Sequence, residues 1–218
     1  MRRVLVILFC FALVFAVAST VKAAVFTNGS FELGINPPTG SPGFTTLNSG
    51  NTDITGWVVG GISIDWIGTY WTAANGTKSI DLNGLGPGTI SQTFDTVAGQ
   101  AYDVKFMLAG NSDGTPQVKT LIGSAGATAV PFSFTDTGSN SNMGWREFGF
   151  TFSATSASTL LAFESTTNNA DYPQYPGNPF GPALDDVRVN PVPEPGTMML
   201  LGSGLVGLAG YGRKRMKK

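Results

Sequence analysis

Tyr102-Asp103-Val104-Lys105-Phe106-Met107-Leu108 puts Tyr102, Val104, Phe106 and Leu108 on one side of an extended chain and Asp103 and Lys105 on the other. That period of two marks an antiparallel strand with one buried face. The same alternation recurs at Phe148, Phe150 and Phe152, opposed by Gly149 and Thr151, and at Leu161 and Phe163, opposed by Ala162 and Glu164. Further strands are expected over residues 25–33, 57–67, 79–82, 89–95, 118–122, 129–135 and 183–189. Turn dipeptides (Asn75-Gly76, Asn83-Gly84, Ala98-Gly99, Asp113-Gly114) fall between them. No stretch of the body carries a capped helical period. Eight to ten short strands of this kind predict an all-β fold, a two-sheet antiparallel sandwich of the jelly-roll type without internal repeats.

The 218 residues contain no His and a single Cys. Ser-His-Asp and Cys-His catalysis and imidazole zinc sites are therefore excluded. Residues 24–190 hold five cations and thirteen acids, a net charge of −8. So acidic a body has no basic stripe for phosphate, which argues against nucleic acid as a partner. Residues 1–23 combine Arg2-Arg3, an apolar run and the small-residue exit Val21-Lys22-Ala23, the layout of a secretory signal cut after Ala23. Cys10 leaves with that segment, so the exported chain must rely on its core, helped by a bound ion if one is present. After the 24–190 domain come a proline linker (191–196), a glycine-interrupted apolar helix (197–212) and a basic tail (213–218) predicted to stay in the cytoplasm.

Val192-Pro193-Glu194-Pro195, the apolar helix and the basic end together resemble the PEP-CTERM sorting signal of Gram-negative bacteria. The resemblance implies export, transient anchoring in the membrane by the helix, and cutting near Pro193, Glu194 and Pro195 by the transpeptidase exosortase, in bacteria that make exopolysaccharide. The body has its own resemblance. Asn28-Gly29-Ser30-Phe31-Glu32, Ile54-Thr55-Gly56-Trp57, Ser79-Ile80-Asp81-Leu82-Asn83-Gly84, Ile90-Ser91-Gln92-Thr93-Phe94 and Ala183-Leu184-Asp185-Asp186-Val187-Arg188-Val189 are similar to the choice-of-anchor C family. That family resembles galactose-binding-like jelly rolls common in carbohydrate-binding modules, a fold that hosts sugar binding, protein binding and scaffolding alike.

Candidate sites follow. In jelly rolls of the resembled type the first and last strands pair, which would bring Glu32 to Asp185. Acids brought together repel unless a hard cation separates them, so a structural calcium on Glu32 and Asp185, with Asn28 and Asp186 as lesser ligands, is the expected cofactor. The resemblance supports Glu32 and Asp185; Asn28 is added from its position. Asp65, Trp66, Tyr70 and Trp71 crowd three rings beside a carboxylate, the chemistry of a glycan platform, although the same rings could fill one end of the sandwich. Tyr172 and Tyr175 sit in a proline-stiffened loop and form a second glycan candidate. Trp57 reads as core. The expectation is a non-enzymatic surface or matrix protein that binds polysaccharide or another envelope component. The alternatives are an adhesive envelope protein without sugar specificity and a glycosidase using Asp65 with Glu147.

Overall fold

The computed structural model describes residues 25–136, 138–168 and 179–193, together with residue 203. The expected signal segment, Tyr172, Tyr175, Glu194, Pro195, the tail, and the apolar helix apart from residue 203 lie outside the described residues. Among the described residues no helix is long and apolar enough to cross a membrane.

The sandwich has a six-stranded and a five-stranded antiparallel sheet. The six-stranded sheet runs in the order β1 (Phe44–Asn48), β3 (Ser63–Ile67), β4 (Ser79–Asp81), β11 (Pro182–Pro191), β6 (Ala101–Gly110), β9 (Arg146–Ser153). The other runs β2 (Val58–Gly61), β5 (Gly88–Asp95), β10 (Ser158–Ser165), β7 (Val118–Ala125), β8 (Thr128–Thr135). Most connections carry the chain from one sheet to the other, the wiring of a jelly roll.

Alternation in β6 works as its sequence demands. Val104, Phe106 and Leu108 are fully buried between the sheets, and Phe106 pairs in register with Phe148 of β9. From the facing sheet, Phe163 meets the Phe106 ring edge-on at 4.9 Å and Phe132 does so at 5.1 Å. Edge-to-face pairs add to the ~1.5–3 kcal/mol that burying each such side chain contributes. The core is thus a cluster of phenylalanines supplied by strands far apart in sequence.

Two expected strands are corrected. Residues 57–67 form two strands in different sheets, because Gly61 turns the corner at φ 66° and an added Cβ there would lie 2.8 Å from the Pro87 carbonyl oxygen. Residues 25–33 are not a strand: Asn28 and Phe31 adopt φ 55° and 57°. The Asn28 amide stabilises this turn, donating to the Leu33 and Thr55 carbonyls and accepting from the Leu33 N–H. The turn still docks on the last strand, where Val187 N–H donates to the Gly29 carbonyl at 2.8 Å. Strand β1 went unread because Phe-Thr-Thr-Leu-Asn shows no apolar alternation.

Since Phe106 joins both sheets, Phe106→Ala is expected to destabilise the domain by about 3–5 kcal/mol, read as a lower denaturant midpoint. An unchanged midpoint would show that the ring cluster does not hold the sheets together.

Candidate functional site

Strand pleating sorts β3 and β4. Ile64, Trp66 and Ile80 point into the core, whereas Asp65, Ile67 and Asp81 face outward, with Asp65 opposite Asp81 on one side and opposite Thr46 of β1 on the other. An outward face should be wet, yet Asp65 is 8% and Asp81 1% exposed. The cover is the β3–β4 crossover, residues 68–78, lying across this face.

Two carboxylates fix the crossover. Asp185 on β11 accepts the Ala74 and Asn75 N–H groups through Oδ2, both at 2.8 Å, and its own neighbour Asp186 N–H through Oδ1 at 2.6 Å. Glu32 accepts the Thr77 and Lys78 N–H groups at 2.7 Å and the Thr77 hydroxyl at 2.9 Å, with Lys78 Nζ at 3.6 Å. Gly76, at φ 73°, permits the approach, since a Cβ there would lie 2.4 Å from Glu32 Oε1. Held in this way, the crossover places Tyr70 and Trp71 over the sheet. Trp71 Nε1 donates to Ser79 Oγ at 2.7 Å and the Tyr70 hydroxyl donates to Asp113 at 2.6 Å.

Beneath lies a cavity of about 210 Å³, walled by Phe44, Tyr70, Trp71 and Phe180, with Asp65, Asp81, Asn111 and Asp113 supplying the polar atoms. Phe44 meets Tyr70 edge-on at 5.1 Å, and Tyr70 is tilted against Trp71 at 5.9 Å. The carboxylates differ in how they are held. Asp81 is saturated: Oδ1 accepts Asn83 and Gly181 N–H groups at 2.9 and 3.1 Å, and Oδ2 accepts Asn111 Nδ2 at 2.8 Å. Burial and the neighbouring Asp65 charge push its pKa well up. Among the described residues Asp65 accepts only the Thr46 hydroxyl, and burial pushes its pKa up to about 6. The bond to Asp113 and burial push the Tyr70 hydroxyl up to about 12. Lys119, fully buried, donates to the Gly114 and Phe180 carbonyls at 2.7 and 2.9 Å, and burial pulls its pKa down to about 8. Among the described residues no cationic side chain lines the cavity.

The residues expected from sequence are therefore divided. Asp65, Tyr70 and Trp71 come together in one cavity. Trp66 does not join them: its ring is fully buried between the sheets and its Nε1 donates to the Phe31 carbonyl at 3.0 Å. Trp57 is core, as read. The residues expected to hold calcium, Glu32, Asp185 and Asp186, gather on one crossover. The oxygens of Glu32 and Asp185 are taken up by N–H and hydroxyl donors, and Asp186 accepts from Asn75 Nδ2 at 3.0 Å. Asn28 is engaged in its own turn. Among the described residues no group of three or more His, Cys, Asp or Glu could hold a metal ion. The Asp65–Glu147 pair is not assembled either. The two residues stand on β3 and β9, four inter-strand steps or about 19 Å apart, where glycosidase carboxyls stand roughly 5–9.5 Å apart; Glu147 is instead paired with Arg188 and Lys105. Sequence reasoning did not name Phe44, Asp81, Asn111 or Phe180 as site residues; only the register of β1, β3, β4, β11 and β6 brings them together.

Asp65, Asp81 and Asp185 all have raised native pKa values, the last at about 7 because of burial. Between the unfolded value of 3.8 and about 7 the native state holds protons that the unfolded chain has released. Stability therefore falls as pH rises through that window. The melting temperature is expected to be higher at pH 5 than at pH 8, and Asp185→Asn should flatten the slope; a midpoint rising with pH would contradict these assignments.

Residues 24–190 match the family model described as "Protein of unknown function (DUF642)", and residues 191–215 match the PEP-CTERM protein-sorting motif. That motif implies export and a surface or membrane-associated location. Halomucin of Haloquadratum walsbyi is 31% identical over 163 residues, 74% of this chain, and the chain spans only 2% of that protein's length. Three solved structures are similar in fold. A family 35 carbohydrate binding module from Clostridium thermocellum aligns with a TM-score of 0.45 at 12% identity, over 66% of this chain and 97% of the module. TmCBM61 in complex with β-1,4-galactotriose gives 0.44 at 15%, over 78% and 99%. CBM35 from Paenibacillus barcinonensis gives 0.42 at 21%, over 67% and 98%. With residues 24–190 matched, well over half of its length, the chain belongs to the DUF642 family.

Proposed function

We propose that this is a non-enzymatic glycan-binding protein, exported across the inner membrane of a Gram-negative bacterium, processed by exosortase, and retained at the cell surface or in the exopolysaccharide matrix. The observation that carries the glycan reading is the cavity on the outer face of the six-stranded sheet, in which aromatic walls stand beside an incompletely bonded carboxylate. Sugars present apolar C–H faces, which suit ring faces, and hydroxyl donors, which suit Asp65 and Asn111. The volume admits about one sugar ring with its substituents. A binding role without turnover suits the local chemistry. Asp81, the carboxylate opposite Asp65, has both oxygens bonded by N–H donors and none free to attack or to protonate a leaving group.

Polysaccharide arrays probed with the exported protein are expected to retain it. Tyr70→Ala and Phe44→Ala should each weaken retention about tenfold, the ~1.4 kcal/mol of one aromatic contact. Retention that is unchanged in both variants would move the site elsewhere. Failure on every glycan, with co-purification of envelope proteins, would favour the adhesive reading.

The sorting signal has a separate test. Intact mass of protein from the native cell surface is expected to show a chain starting at Ala24 and ending near Glu194. Full-length material there would refute processing.

A further inference from the structure

Asp65 is more than nine-tenths buried and lines the cavity, yet only one of its oxygens is bonded, by the Thr46 hydroxyl. The other accepts no hydrogen bond from any described residue. That oxygen opens to the cavity rather than to the packed interior, so an occupant that displaces its water must bring a donor of its own. Three further features set the sign of that donor. The rings of Phe44, Tyr70 and Trp71 line the space, and aromatic rings attract cations over their faces. Asp81 stands directly across from Asp65, and Asp113 holds the Tyr70 hydroxyl at the rim, so both neighbours are acids. Among the described residues no Lys or Arg lines the cavity to answer an anion; Lys119 is committed to the Gly114 and Phe180 carbonyls. A uronate would set carboxylate against carboxylate, and a neutral sugar hydroxyl would satisfy Asp65 but leave its negative charge unanswered.

Building on the glycan-binding reading, we propose that the cavity selects a hexosamine unit carrying a free, protonated amine, with Asp65 as the ammonium acceptor and the aromatic walls around the sugar. N-Acetylation removes the charge and adds bulk, so the amide form is the discriminating competitor. Charge-assisted hydrogen bonds are stronger than neutral ones, which sets the expected preference at about tenfold.

The test uses the exported protein at physiological salt, titrated calorimetrically with a short β-1,4-glucosamine oligomer, its fully N-acetylated counterpart, a galactose oligomer and an oligogalacturonate. Expected is binding of the free-amine oligomer about tenfold tighter than the acetylated one, with the uronate weakest. Asp65→Asn should bring amine and acetamide forms within about twofold, while Glu164→Gln, exposed on the facing sheet, should leave the preference intact. If Asp65→Asn does not fold, the wild-type ratio decides. Equal affinity for amine and acetamide overturns this inference but leaves the glycan reading standing; no binding of any sugar overturns both. Loss of the preference in Glu164→Gln would assign it to overall surface charge and overturn it. So would an acetylated lysine amide that binds as tightly as the sugar, since the site would then recognise an amine without its ring.

Discussion

Everything at the outer face of the six-stranded sheet depends on two carboxylates gripping one crossover. Asp185 and Glu32 reach the segment between β3 and β4 from opposite ends of the domain sequence and accept four of its backbone N–H groups. Those donors belong to a half-exposed loop with no ladder of its own, so the carboxylates supply the acceptors that strand pairing would give. The acids therefore do for this loop what strand pairing does for the sheets. With the crossover anchored, Tyr70 and Trp71 roof Asp65 and Asp81, and a sheet face that would be solvated becomes a walled cavity. An acid pair that the sequence suggests for an ion is here a clamp on the main chain.

That arrangement has an electrostatic consequence. Three Asp side chains are buried without an ion pair among the described residues, and their pKa values rise. Asp81 and Asp185 are compensated by N–H donors, whereas Asp65 is served by a single hydroxyl. Exposed pairs such as Arg188 with Glu147 sit on the same sheet but in water, where such bridges contribute little. The difference between Asp81 and Asp65 separates a structural acid from one available to a ligand, although they are direct neighbours across two strands.

Much of the fold was legible because a half-buried strand advertises itself. Phe148, Phe150 and Phe152, and Leu161 with Phe163, could be assigned to a buried face from spacing alone, and they pack as that spacing requires. Legibility failed where the backbone leaves the ordinary β region. Residues 25–33 carry strand-like apolar residues, yet two positive φ angles curl them into a turn that an asparagine side chain satisfies. Residues 57–67 look continuous, yet a glycine corner divides them between sheets. In each case a local propensity consistent with strand was overridden by a contact with a remote segment.

The site was only half legible for the same reason. Asp65, Tyr70 and Trp71 are near in sequence, so their crowding showed; Trp66 sits among them but points the other way, since adjacent residues of a strand face opposite sides. By itself the sequence determined the strand period, the acidic and histidine-free chemistry, and the terminal sorting motif, because composition and spacing are properties of the chain alone. Tertiary structure decided which acids are buried, which of their oxygens are already bonded, and that Phe44, Asn111 and Phe180 join them. Burial and bonding depend on partners brought close by strand register, and register is settled only when both sheets close on their shared core.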